Sequence, residues 1–209
     1  MKAEIVYKLT DQDGYTRNKT LWGVGVEHIA PGKGPLCSGG WLHAYSHPLL
    51  AVLLNTLHAD IRNPRLWKAL GKGLKKDDSG LKCGFSSLQT LEEIPLPVVS
   101  NTQRVAFGIL CALEHCYSPK FLAWAEAWLN DTDRTVSAAA SAAAAAYSAD
   151  DVAAASAAAY AADAAAAYSA AYAASAYAAA YAAAYAASAA AAASKGIDLV
   201  TIAEEAMKF

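Results

Sequence analysis

SAAASAAAAAYSADDVAAASAAAYAADAAAAYSAAYAASAYAAAYAAAYAASAAAAAS, running from Ser137 to Ser194, is alanine interrupted mainly by Ser, Tyr and three Asp. Alanine has the best intrinsic helix propensity, and the run holds neither Gly nor Pro, so it reads as helix. As one unbroken rod its 58 residues would extend about 87 Å. Ser148-Ala149-Asp150-Asp151 has the spacing of a capping box, which offers the alternative of a break and a helical hairpin. The run lacks nucleophiles with partner bases, metal ligands and cationic side chains. Chemistry is therefore expected in the first 136 residues, and structure or assembly in the run itself.

Its tyrosines divide into two groups at 100° per residue. Tyr147, Tyr168 and Tyr172 fall near one side, and Tyr160, Tyr177, Tyr181 and Tyr185 near the other. This is not one coiled-coil seam, which repeats every 3.5 residues. Two tyrosine ridges between alanine valleys suit close helix–helix contact on more than one face. Tyr160, Tyr168, Tyr172, Tyr177, Tyr181 and Tyr185 are accordingly the candidate assembly residues. No threonine occurs between 137 and 194, so the regular threonine face of an ice-binding helix is missing.

Working back toward the N-terminus, the pattern changes to strands and ordinary helices. Ile5–Leu9 reads as a strand, Asp11–Gly14 as a turn and Thr20–Val26 as a second short strand. Pro31–Pro35 is a loop, and Trp41–Tyr45 a third strand. Ser46 is the expected N-cap of a buried helix with Pro48 in its first turn. Arg62–Gly80 is expected to be irregular and basic, with Gly71-Lys72-Gly73 and Lys75-Lys76 in surface loops. Leu81–Phe85 and Gln89–Ile94 look like strands. Ser100 and Gln103 have capping-box spacing and open a helix to about Cys116 with Val105, Ile109, Ala112 and Leu113 on its core face. Ser118-Pro119 starts another helix. The fold class is an α+β head with a small mixed or antiparallel sheet, then the long alanine-rich segment, then a short C-terminal helix. The expected boundaries are 1–133 for the head, 134–195 for the alanine and tyrosine-rich segment and 196–209 for the last helix.

Charge and cysteine usage limit the function. Residues 1–136 carry 15 Lys and Arg against 13 Asp and Glu, and residues 137–209 carry 2 against 6. No basic stripe suits a phosphate backbone, which argues against general nucleic-acid binding. Window 164–194 has no charge, but it also has no Leu, Ile, Phe or Val to drive membrane insertion. Cys37, Cys83, Cys111 and Cys116 show no CxxC spacing, and Met1–Ile5 leads directly into a strand, so reduced thiols in a cytoplasm are expected.

The densest polar cluster is Cys37 to Pro48. On a strand Trp41, His43 and Tyr45 share a face, where an indole, an imidazole and a phenol could stack on and hydrogen-bond a nucleobase or nicotinamide. The bland alternative is a half-buried strand whose His and Tyr bond to backbone. Tyr7, Lys33, Trp41, His43, Tyr45 and His47 are the candidate ligand-binding residues. His43 and His47 straddle a strand-to-helix junction and lack a CxxC pair, which argues against zinc. Cys111 to Cys116 lies on a helix, where Cys116 and His115 point about 100° apart and do not form a catalytic pair. No metal, cofactor or catalytic residue is assigned.

The runs Leu21–Val26, Leu36–Ala51, Glu93–Pro97 and Arg104–Phe107 resemble a family of uncharacterised phage and prophage proteins with an α+β head and an alanine-rich tail. That resemblance implies a phage accessory protein and supplies no activity; binding to a host protein or an anti-defence role, in the cytoplasm of a bacterial host, is the functional expectation. Tyr7-Lys8 and Gly40–Ser46 are similar, at fold level, to ADP-ribosyltransferase-like domains. The chain departs from that pattern, since no Arg or His follows the first strand in place and no late catalytic Glu is assignable. The leading expectation is a non-enzymatic binding protein that forms homo-oligomers. The alternatives are a head that binds a small nucleotide, as a sponge or degenerate transferase, and a structural virion component.

Overall fold

Strand β1 (Glu4–Thr10) alternates Val6, Lys8 and Thr10 on one face with Ile5, Tyr7 and Leu9 on the other. The hairpin β2 (Tyr15–Thr16) and β3 (Thr20–Leu21) follows, then β4 (Glu27–Ile29) and β5 (Leu42–Ala44). Helices α1 (Pro48–Leu53) and α2 (Asn55–His58) lead into the long antiparallel hairpin β6 (Arg65–Asp77) and β7 (Cys83–Ile94). The computed structural model describes residues 3–146, 152–169, 173–193 and 196–209.

All pairings are antiparallel, in the order β1-β6-β7-β4, with β5 on the same edge of β7 as β4. The sheet curls until Tyr7 and Tyr45 bridge, each amide donating to the other carbonyl at 2.8 Å. That bridge joins the first strand to the end of β5 and makes a small barrel, removing an exposed edge. Val6, Trp22, Ala44, Ala69, Cys83, Phe85 and Leu88 fill it.

The stretch from Arg65 to Asp77, expected as basic loop, is instead a 13-residue strand. Its glycines are there for space. A Cβ on Gly71 would lie 2.7 Å from the Phe85 ring, and Gly73 (φ +78°) sits in the bulge between Lys72 and Lys75, where a Cβ would strike Ser86. Four of its five basic residues pair across the sheet with acids: Lys75 with Glu4 (2.7 Å), Lys72 with Glu27 (3.4 Å), Lys68 with Glu92 (3.1 Å) and Arg65 with Glu93 through two hydrogen bonds, while Lys76 donates to the Gly34 carbonyl. The two strands expected around residues 81–94 are one, and of the second expected strand, Thr20–Val26, only Thr20–Leu21 is strand, with β4 starting beyond it at Glu27. The cap of α1 is His47 rather than Ser46: His47 Nδ1 accepts from the Leu49 amide at 3.3 Å.

The chain divides into two units, Met1–Val98 and Val99–Phe209. This places the break after Val98 rather than after residue 133. The reason lies in α3 (Asn101–Leu113), which packs against the alanine-rich helices. The second unit continues with α4 (Pro119–Leu129), α5 (Val136–Ala146), α6 (Val152–Ser169), α7 (Ala173–Ala193) and α8 (Leu199–Ala206). The alanine-rich run is thus three packed helices among the described residues, neither one rod nor a simple hairpin. α6 packs against α5, α7 and α3, and Ala157, Ala158, Ala159, Ala161, Ala162, Ala164 and Ala165 are all buried. A helix apolar all round belongs in an interior. The capping box of α3 is present: Gln103 N donates to Ser100 Oγ at 3.1 Å, and Ser100 N to Gln103 Oε1 at 2.8 Å. Gln103 Nε2 also donates to the Met207 carbonyl at 3.0 Å, where α8 docks on α3 with Leu199, Ile202, Ala203 and Ala206 buried. The capping signal at 148–151 lies outside the described residues. No described helix is long and apolar enough to cross a membrane.

Candidate functional site

β5 packs Leu42 and Ala44 against the barrel core, and alternation turns His43 to the opposite side, with Trp41 and Tyr45 flanking the strand just beyond its ends. The shared face is covered by the chain itself. Trp41 is buried, and its Nε1 donates to the Gly34 carbonyl at 3.1 Å. His43 Nε2 hydrogen-bonds the Leu36 carbonyl, and burial pushes its pKa down against the opposing effect of that bond. Tyr45 is buried, its phenol pushed up by desolvation, and its ring stacks on His58 at 6.0 Å. Burial pushes the His58 imidazole down to about 4, and its Nδ1 has no hydrogen-bond partner.

Tyr7 meets the Tyr45 backbone through the bridge and the His47 ring edge-on at 6.4 Å. His47 is engaged as a helix cap, and Lys33 is exposed on the loop that covers Trp41. Tyr7, Tyr45 and His47 are therefore brought together, whereas Trp41 and His43 are tied into the loop at 34–36. Trp41 Nε1 and His43 Nε2 are spent on backbone carbonyls, which the bland alternative expected of the histidine but not of the indole. Among the described residues no group of three His, Cys, Asp or Glu is arranged to hold a metal ion. Asp11, Tyr15, Thr16, Asn18 and Lys19 line an open depression of ≈ 680 Å³ beside the β2–β3 hairpin. One oxygen of its carboxylate is engaged in the turn, since Asp11 Oδ1 accepts from the amides of Asp13 (3.0 Å) and Tyr15 (2.7 Å).

Lys8 is a chemically notable group that sequence reading passes over. It is 8% exposed inside the barrel, donates to the His43 carbonyl at 2.8 Å and lies 4.9 Å from the centre of the Trp22 ring. Neither partner neutralises an ammonium, and desolvation lowers its pKa to about 8. The signal was its place beside Val6 and Thr10 in the period-2 pattern of β1.

In the second unit, Tyr160, Tyr177, Tyr181 and Tyr185 form a ladder. Tyr160 and Tyr185 rings lie 5.2 Å apart, Tyr181 and Tyr185 4.7 Å, and Tyr177 and Tyr181 6.4 Å. The Tyr181 hydroxyl donates to that of Tyr185 at 3.0 Å. Tyr177 is 50% exposed and Tyr181 39%. The grouping expected on one face of one helix is realised across two packed helices. Tyr147, Tyr172 and the Tyr168 side chain lie outside the described residues.

Comparison with protein-family models, with curated proteins and with solved structures found no match.

Proposed function

We propose that this chain is a binding protein rather than an enzyme, and that its helical unit joins copies of the chain through the tyrosine ladder of α6 and α7. The observation that carries this reading is the half-exposed stripe of Tyr177 and Tyr181, packed onto Tyr185 and Tyr160 over an alanine scaffold. Residues 164–194 carry no charge, and the charged group nearest the ladder along α6 is Asp163, one turn from Tyr160, so the face offers mainly aromatic and alanine surface. A second copy suits it better. Tyrosines one turn apart make ridges, the alanines between them make grooves, and an isologous contact sets each ridge in the other's groove. Tyrosine hydroxyls stay hydrogen-bonded or wet while the rings lose solvent.

The engaged polar atoms of Trp41, His43 and His47 support a structural role for this face over a nucleotide site. In this reading the head carries recognition of a further partner. A bacterial host protein is the partner we propose, in line with the likeness to phage and prophage proteins read from the sequence.

Native mass spectrometry of the intact protein, followed by denaturation, tests the proposal. An oligomer is the expected result, and a monomer across the accessible concentration range would sink it. A nucleotide released on denaturation would return the head to small-ligand binding and leave the assembly claim standing.

A further inference from the structure

We propose that Cys37 and Lys82 form an oxidation-dependent covalent link, an N–O–S bridge that fastens the 31–40 loop to the β6–β7 hairpin. Lys82 Nζ lies 3.2 Å from Cys37 Sγ, and 3.6 Å from Asp78 Oδ2. The other three cysteines are buried, whereas Cys37 is exposed to a dissolved oxidant. The Lys82 side chain is only 11% exposed, so its amine has little freedom to swing away.

Both groups are held by tight local structure. The loop is pinned by Gly32 N to the Gly40 carbonyl (2.8 Å), Ser38 Oγ to the Pro35 carbonyl (2.6 Å) and Trp41 Nε1 to the Gly34 carbonyl (3.1 Å). The hairpin turn is closed by Asp78 N to the Lys82 carbonyl (3.0 Å) and Gly80 N to Asp77 Oδ1 (2.8 Å). Reactants fixed at contact distance react as if at very high concentration.

The oxidant is hydrogen peroxide, two equivalents for each link. The Cys37 sulfur attacks one peroxide, the O–O bond breaks, and a sulfenic acid and water form. The Lys82 ammonium gives a proton to solvent, and the free amine then attacks the second peroxide, whose O–O bond breaks, so that a hydroxylamine forms and water leaves. The hydroxylamine oxygen then attacks the sulfenic sulfur and expels its hydroxyl as water. Sulfur and nitrogen each lose two electrons, and each peroxide accepts two. From a 3.2 Å separation, a bridge through one oxygen asks for less approach than a direct S–N bond.

The experiment is peroxide treatment of the full chain, followed by a non-reducing peptide map and by thermal melting. A Cys37–Lys82 cross-linked peptide pair about 14 Da heavier than the sum of the unmodified peptides is expected, reversible by dithiothreitol. Cys37→Ser and Lys82→Arg should each abolish it, and the linked wild-type chain should melt higher than the reduced one. Sulfenic or sulfinic acid confined to Cys37, a link to another lysine such as Lys33, or a direct S–N link about 2 Da lighter would each overturn the proposal.

Discussion

Lys8 sets the terms at the residue scale. Its pKa is about 8 in the barrel against 10.5 in an unfolded chain, so the unfolded state binds the extra proton between those values. Stability should therefore rise with pH through that window, and the buried ammonium costs roughly 3 kcal/mol below it. Lys8→Met should raise stability at pH 7 by roughly 1–3 kcal/mol, with the advantage fading toward pH 10.5. Urea unfolding of both proteins across this range reads it directly. The comparison with the variant matters, because the Cys83 thiol, pushed up to about 12 by burial, lowers stability above pH 9 and would mask the trend. Thr10 gives a second test: its hydroxyl accepts from Trp67 Nε1 at 3.0 Å in a buried site. Thr10→Val leaves that indole N–H without a partner and should cost about 1–3 kcal/mol. The alternation of β1 was legible in the sequence, but its meaning was not. The strand over Ile5–Leu9 was visible, yet the face that barrel closure buries is Val6, Lys8 and Thr10 while Ile5 stays exposed, and closure depends on a bridge between residues far apart in the chain.

Elements were legible where local chemistry decides them. The capping box at Ser100 and Gln103, the Pro at the start of α1 and α4, and the alanine helices all act within a few residues. The longest hairpin was missed for the opposite reason. Gly71, Gly73 and the lysines of β6 look like loop until Phe85 and the acids on β1, β4 and β7 are set across from them. The candidate ligand face on β5 was read with the correct alternation, but nothing local shows that loop 31–40 folds over it. The alanine helices reward close approach. A Cβ at Gly108 of α3 would lie 3.1 Å from Ala183 Cα and 3.3 Å from its Cβ. Gly108→Ala gains helix propensity yet should destabilise by about 1–3 kcal/mol through overpacking, and Gly108→Leu by more. Thermal melts of the two variants check the order.

For the whole molecule, the absence of charge across 164–194 was plain in the sequence, as was the grouping of Tyr160 with Tyr177, Tyr181 and Tyr185. The route by which they meet was not, because it needs the run to fold into separate helices. A ladder of this kind on an alanine-rich support, with Asp163 the one carboxylate in either helix, offers chiefly aromatic area, which is the basis for assigning it to self-association. The direct test is sedimentation equilibrium of the wild-type chain beside Tyr177→Ser/Tyr181→Ser, two exposed positions whose replacement should leave helix content by circular dichroism unchanged. The account predicts an oligomeric wild type and a variant whose dissociation constant rises at least about tenfold, a loss of roughly 1.4 kcal/mol. A monomeric wild type, or a variant that assembles as tightly as the parent, would contradict it.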